Sequence, residues 1–399
     1  FGVLHCAMLY KWEQTKMRSS PSTVHDWMQA IRRPTAYRVG NAKLHLKTRT
    51  VAYLMLFGSA CLILILNILP QNVSEKKCDC TAPYDDTYPL SKPYLSDKGL
   101  TYKLAMISDL DTNSKSNKKD NTWLSYLQTG NLTLSDDNSR VTIALDKEPI
   151  TLTSSLSQGG RGMELSELVV FNGHLYSFDD RTGVVYFIKD KEVYPWILLV
   201  DGNGTSQKGF KCEWATVKNG RLYVGGLGKE WTSAEGKVVN TNPQWVKSIG
   251  PRGEVEHIDW KHVYNKIRQV SGYSYPGYII HESGVWSDVH QKWFFLPRRA
   301  SQESYDEISD EKRATNILVS ADEHFINVQY KYIGKIHLTK GYSSFKFIPG
   351  TQDRIIVALK SEEVSGKIAS YITVFTLEGE ILLEDIKIGN VKYEGIEFV

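Results

Sequence analysis

Beyond residue 100 the apolar positions fall in short runs rather than long stripes. TYKLAMIS, RVTIAL, ELVVFNGHLYSF, GVVYFI, WATVKNGRLYVGG, YPGYIIH, KWFFLP, TNILVS, FKFIP, RIIVALK, ASYITVFTLEGEILL and VKYEGIEFV succeed one another with turn-like polar breaks between them. β-Branched and aromatic residues fill these runs, which predicts strands, because such side chains pack well on a pleated surface. Phe171-Asn172-Gly173-His174 and Lys218-Asn219-Gly220-Arg221 predict two-residue hairpins, since Asn-Gly supplies the positive φ angles such a turn needs. One helix is expected, an insertion over 257–269 with Ile258, Val263 and Ile267 on one stripe. About 300 residues of short antiparallel strands must hide their edges, by closing into a barrel or sandwich or by radial repetition. Propeller blades of roughly 40 to 60 residues would give about five to seven of them, and no repeated signature chooses the number.

The pattern before residue 100 is different. Residues 51–69, VAYLMLFGSACLILILNIL, carry no charge, and at about 1.5 Å per residue they span a hydrocarbon core of about 30 Å. Nine Lys or Arg against Glu13 and Asp26 precede them. The positive-inside rule then predicts a cytosolic basic tail over 1–50, a transmembrane signal anchor over 51–69 and a translocated remainder. A cleaved signal peptide or a buried core helix is the competing reading. Residues 70–99 are polar and proline-bearing, which predicts a lumenal stalk, with the body over 100–399. Asn72, Asn131 and Asn203 each head an Asn-X-Ser/Thr triplet and are candidate glycosylation sites. Cys78 and Cys80 lie in the stalk, either linking two chains as a homodimer or unpaired.

Composition removes one class of function. The 399 residues hold 48 Lys plus Arg against 45 acids, a formal charge of +3, too balanced for a nucleic-acid footprint.

Acidic and hydroxyl residues interrupt the apolar runs at wide intervals: Ser166 with Glu167, then Glu213, Glu282, Ser343 and Glu394. The steps of 47, 69, 61 and 51 residues are close to one per blade, the spacing that a ring around a channel requires. Oxygen ligands without a His or Cys pair select a hard cation, and a wide ring of irregular reach suits Ca²⁺ better than Mg²⁺. Ordinary strand-end carboxylates are the alternative reading of the same pattern.

The strings RGMELSELVVFNG, DDRTGVVY, YVGGLGKEW, KWFFLPRRAS, YSSFKFIP, IIVALKSEE and VKYEGIEF resemble those of the apyrase family of soluble calcium-activated nucleotidases, shared by vertebrates and blood-feeding arthropods. The resemblance runs from about Tyr84 to Val399 and includes the type II anchor layout of the vertebrate form. It implies an all-β, five-bladed β-propeller with a central calcium site, preceded by one transmembrane helix. It also implies hydrolysis of nucleoside di- and triphosphates to monophosphates, with UDP, GDP and UTP preferred over ADP and ATP. On that resemblance Ser166, Glu213, Glu282, Ser343 and Glu394 are the calcium ligands. Glu167 stands where the family usually has Asp, which leaves its own part in the metal site less secure.

Cleaving a phosphoanhydride needs cations on its oxygens and a positioned water. Arg161, Arg181, Arg298 and Arg299 are candidate bidentate phosphate clamps. Asp109, Asp111, Glu164, Asp179 and Asp180 are candidates for activating water, and Trp214 for stacking on the base, where core packing is the plainer alternative. The resemblance also implies a role as a Golgi or endoplasmic-reticulum membrane enzyme that removes the UDP left by glycosyl transfer. A non-catalytic calcium-binding propeller is the alternative.

Overall fold

Alternating apolar positions and tight turns deliver the expected strands, and the way those strands pair decides the architecture. The structure is a computed structural model. It describes residues 83–233 and 237–399, helical residues 53 and 55–61, and the backbone of a hairpin, Thr35–Val39 with Ala42–Leu46. The chain divides into two units, Phe1–Ala82 and Pro83–Val399. Most of the anchor expected at 51–69, with Asn72, Cys78 and Cys80, lies outside the described residues. Among the described residues no helix is long and apolar enough to cross a membrane.

The second unit is a five-bladed β-propeller of antiparallel sheets. The first blade orders Tyr393–Phe398, Gly99–Ser108, Trp123–Leu134 and Val141–Leu145, so the last strand of the chain closes the ring against the first blade. The second blade is the meander Leu165–Phe171, His174–Asp179, Val184–Lys189 and Glu192–Leu198. The third runs Trp214–Lys218, Arg221–Gly225, Trp245–Ile249 and Val255–Asp259. The fourth runs Gly284–Ser287, Lys292–Phe295, Ile317–Asp322 and Val328–Tyr332. The fifth runs Lys340–Phe347, Ile355–Val364, Lys367–Thr376 and Ile381–Gly389.

Burial follows from this radial plan. Strand Leu165–Phe171 is buried at every position because both of its faces pack, whereas the outer strand Val328–Tyr332 is largely exposed. Each pair of neighbouring blades encloses an apolar cluster. One such cluster joins Leu104, Met106 and Leu132 to Val357, Ile372 and Val374 across the closure. The Asn-Gly turns form as expected, with φ of +49° and +71° at Asn172 and Gly173 and +52° and +67° at Asn219 and Gly220.

Two boundaries differ from expectation. The helix spans Lys261–Val270, because Ile258 pairs with Val246 in the outer strand of the third blade. The body begins before Leu100, because the segment from Pro83 packs on it. There the Asp85 amide donates to Asn172 Oδ1 at 2.9 Å, Tyr88 Oη donates to Glu397 Oε1 at 2.9 Å, and Tyr84 lies against Phe171.

Candidate metal and nucleotide site

The five innermost strands run in the same sense around the channel, so residues at their beginnings share one mouth. Three of these strands carry a β-bulge there, at Ser166–Glu167, at Ser343 and at Glu394. A bulged residue drops out of the ladder and its side chain is re-aimed. Glu213 and Glu282 lie just ahead of the other two inner strands, Trp214–Lys218 and Gly284–Ser287. Hydrogen bonds tie neighbouring positions together: Ser166 Oγ donates to the Cys212 carbonyl at 2.7 Å and Ser343 Oγ to the Tyr393 carbonyl at 3.1 Å. Arg298 Nη1 bridges Glu282 Oε2 at 2.6 Å and Glu394 Oε1 at 3.2 Å. The structure thus gathers Ser166, Glu213, Glu282, Ser343 and Glu394 at one end of the channel, all buried.

Charge surrounds this ring. Lys211 pairs with Asp180 and, at 3.0 Å, with Glu213. Arg298 pairs with Glu363 besides Glu282 and Glu394. Lys392 Nζ stands 2.7 Å from Asp109, 2.8 Å from Asp111, 3.6 Å from Glu394 and 3.7 Å from Glu363. Arg161 grips Glu164, with Nε to Oε1 at 2.7 Å, and reaches Asp111 at 3.5 Å. Eight carboxylates (Asp109, Asp111, Glu164, Asp180, Glu213, Glu282, Glu363, Glu394) therefore share four bases (Arg161, Lys211, Arg298, Lys392).

The excess of acid shows in the protonation equilibria. Burial pushes Glu213 up to about 8, helped by Glu282 and opposed by Lys211. Burial pushes Glu164 up to about 7 despite Arg161, with Asp180 adding to the rise. Glu394 is driven well above the carboxylate range by burial, against Lys392. Asp109 and Glu363 run the other way: burial would raise both, but Lys392, the Asp111 amide and Lys211 together hold Asp109 low, and Arg298 with Lys392 holds Glu363 low. The oxygens of Asp109, Asp111 and Glu164 lie within 4.8 Å of one another, a second carboxylate cluster on the same mouth.

Other expected residues fall elsewhere. Glu167 turns away from the ring: its Oε1 accepts from the Leu168 amide and from Ser344 Oγ, each at 2.8 Å, and Oε2 faces Lys346 at 3.4 Å. Trp214 is wholly buried, donates to Tyr264 Oη and packs edge-on against Phe295. A Cβ on Gly225 would come within 2.0 Å of its ring, so it is core and not a platform for a base. Arg181 is exposed on a tight turn whose Arg181 and Thr182 amides are capped by Asp179. Asp179 also accepts from the Met163 amide at 2.8 Å, so it braces the loop. Arg299 is buried with Nη1 outside any hydrogen bond and Nε 3.7 Å from Asp310. Asn203 sits on an exposed turn, and Asn131 lies half-buried mid-strand in the first blade.

Lys211, Lys392 and Glu363 are the site residues that sequence reasoning missed. Lys211 and Lys392 each precede a ring glutamate by two positions, Lys211 with Glu213 and Lys392 with Glu394. In extended backbone that spacing puts both side chains on one face, so the signal lay inside the motifs already singled out.

A cavity of about 600 Å³ lies at the other mouth, where Val169, Val217, Val285, Trp286 and Phe347 line it together with Lys346, Asp353 and Glu397.

Comparison with known proteins matches this arrangement to a family. The apyrase family profile matches residues 110–399. The chain is 56% identical over 316 residues to soluble calcium-activated nucleotidase 1 of Rattus norvegicus, covering 79% of this chain and 78% of that protein. It is 44% identical over 367 residues to the apyrase of Cimex lectularius, covering 92% and 100%. It is 48% identical over 301 residues to apyrase apy-1 of Caenorhabditis elegans, covering 74% and 84%. With a propeller of five blades, an acid-rich channel mouth and a match over most of its length, the chain belongs to the apyrase family.

Proposed function

We propose that this chain is a calcium-dependent enzyme that hydrolyses nucleoside di- and triphosphates, with the ion held by Ser166, Glu213, Glu282, Ser343 and Glu394. The observation that carries this reading is the imbalance of eight carboxylates against four bases at one buried mouth. Unpaired buried charge is costly, and a divalent cation on oxygen donors removes the cost. The donor set fits: it is carboxylate and hydroxyl throughout. Glu213 Oε1 is buried and outside hydrogen-bonding geometry even though Lys211 Nζ stands 3.0 Å away. Bound there, calcium supplies positive charge to the phosphate oxygens.

The chain's own residues account for the remainder. Glu164, held near neutral pKa and oriented by Arg161, is placed to accept a proton from water. Asp109 and Asp111 fix Lys392 beside it. Arg298 is engaged by three carboxylates, so it sets the ring's geometry and charge before any substrate arrives. Arg299, with Nη1 buried and unpaired, is the guanidinium available to a phosphate oxygen. Substrate preference for UDP, GDP and UTP, a type II anchor over 51–69, a Golgi or endoplasmic-reticulum address, and a role in glycosylation and proteoglycan synthesis complete the reading; relatives named calcium-activated nucleotidase support its core.

Phosphate release from UDP with Ca²⁺, with Mg²⁺ and with chelator tests it. Release with Ca²⁺ that chelator abolishes and Mg²⁺ does not restore is expected. A full rate in chelator would overturn the calcium assignment, and no release under any condition would leave a non-catalytic calcium-binding propeller.

A further inference from the structure

The ring residues do not hold themselves in place, because Ser166, Ser343 and Glu394 sit on bulges, where the ladder is interrupted. Directly behind them lies a buried carboxylate, Glu167, with a second, Glu397, near it. Glu167 Oε1 accepts from Ser344 Oγ at 2.8 Å, and Ser344 Oγ in turn accepts from the Ile396 amide at 3.3 Å. Glu167 neighbours Ser166, Ser344 neighbours Ser343, and Ile396 lies two residues beyond Glu394. One chain of two hydrogen bonds therefore crosses the inner strands of the second blade, the fifth blade and the closing strand, at the level of all three bulges. Close packing reinforces it: a Cβ on Gly395 would come within 2.5 Å of the Leu168 amide nitrogen and 2.6 Å of the Glu167 carbonyl carbon. The other oxygen, Oε2, faces Lys346 at 3.4 Å, which anchors the carboxylate from the side away from the ring.

We infer that Glu167 is a positioning residue for the calcium ring, locking the three bulges in register so that Ser166, Ser343 and Glu394 converge on one ion. A buried carboxylate is a costly brick for a propeller core, and an apolar residue would pack as well in a strand that had only to be stable. The inference rests on the proposed calcium ring, so its test carries a control for that reading.

Glu167→Gln keeps an oxygen that accepts from the Leu168 amide and from Ser344; Glu167→Leu keeps the volume and removes the acceptor; Ser344→Ala removes the partner hydroxyl. Calcium titration of the full chain by calorimetry, with unfolding followed in chelator, separates positioning from general support. Glu167→Leu should raise the calcium Kd by about tenfold or more, the scale of a charged hydrogen bond. Ser344→Ala should move it the same way and carries the test should the leucine variant fail to fold. The double variant should be no worse than Glu167→Leu alone, because both remove one tie. Glu167→Gln should stay within about threefold of the parent, since the acceptor is retained. Folded Glu167→Leu and Ser344→Ala that bind calcium as the parent does, while Glu213→Ala does not bind, would overturn this inference and leave the ring intact. A parent chain that takes up no calcium, or Glu213→Ala binding normally, would overturn the ring and the inference together.

Discussion

At the beginnings of the five inner strands, Ser166, Glu213, Glu282, Ser343 and Glu394 crowd around shared bases. At the ends of the same strands, Val169, Val217, Val285 and Phe347 line a cavity of about 600 Å³. The first mouth holds the strained electrostatics: carboxylates raised by burial, guanidinium and ammonium groups each serving several acids, and ladders broken by bulges. Stable packing can be had at either end of a propeller channel, and the far end has it. The acid-rich end interrupts the ladder on three inner strands and gathers eight carboxylates on four bases, which is the mark of a site built for a ligand.

The largest expected effect falls on the ring. Glu213→Ala or Glu394→Ala should lose calcium affinity and UDP hydrolysis together by more than about 100-fold, since each leaves buried partners uncompensated; calorimetry beside phosphate release checks the coupling. Arg298→Ala should lower unfolding stability in chelator by about 3–5 kcal/mol, because Glu282, Glu363 and Glu394 lose a shared partner. Calcium should restore most of that loss, and a loss unaffected by calcium would place Arg298 outside the ring's electrostatics.

The raised carboxylates set a pH dependence whose sign is fixed. Glu213 near 8 and Glu164 near 7 hold protons in the metal-free fold that the unfolded chain has already lost above its ordinary carboxylate range. The contribution of these two groups to metal-free stability is therefore full at low pH and declines as pH rises towards 8, while calcium, which displaces a proton, binds more tightly over the same window. One displaced proton gives about a tenfold gain in affinity per pH unit below 8. Titrations in buffers of different ionisation enthalpy would count the protons, and a flat affinity from pH 6 to 8 would refute the assignment.

Smaller effects sharpen the contrast with the packed regions. Trp214→Phe should lower stability by about 1–3 kcal/mol, the scale of a core volume change, and leave KM for UDP and GDP alike unchanged, because the ring is core. At the far mouth, Asp353→Asn, which alters the partner of Ser287 Oγ at 2.7 Å, should change kcat by less than about twofold. A large loss of activity there would erase the distinction between the two ends.

Local chemistry made much of this legible. The Asn172-Gly173 and Asn219-Gly220 turns, the strand runs on either side of them and the wide spacing of ring residues needed no tertiary information. What was hidden depended on neighbours far along the chain. Strand Trp123–Leu134 escaped notice because Gln128, Gly130 and Asn131 interrupt its apolar pattern; Gly130 is required there, since a Cβ would meet the Ala144 carbonyl at 2.6 Å. Trp214 and Glu167 each sit one residue from a ring position or on a bulge, where a single step along a strand reverses the face a side chain takes. Ile258 obeyed helical spacing and still joined a strand, because Val246 was there to pair with it. Pro83 to Ser96 resembled a tether by composition, and only Asn172, Glu397 and Val399 reveal where it docks.

The claim on which everything else depends is the position of the ion, and the same mouth offers two acidic clusters. Anomalous scattering from crystals soaked with calcium or a lanthanide locates it directly. The expected peak lies among Ser166, Glu213, Glu282, Ser343 and Glu394, at about 2.3–2.6 Å from their oxygens. A peak confined to Asp109, Asp111 and Glu164, or none on the channel axis, would contradict it.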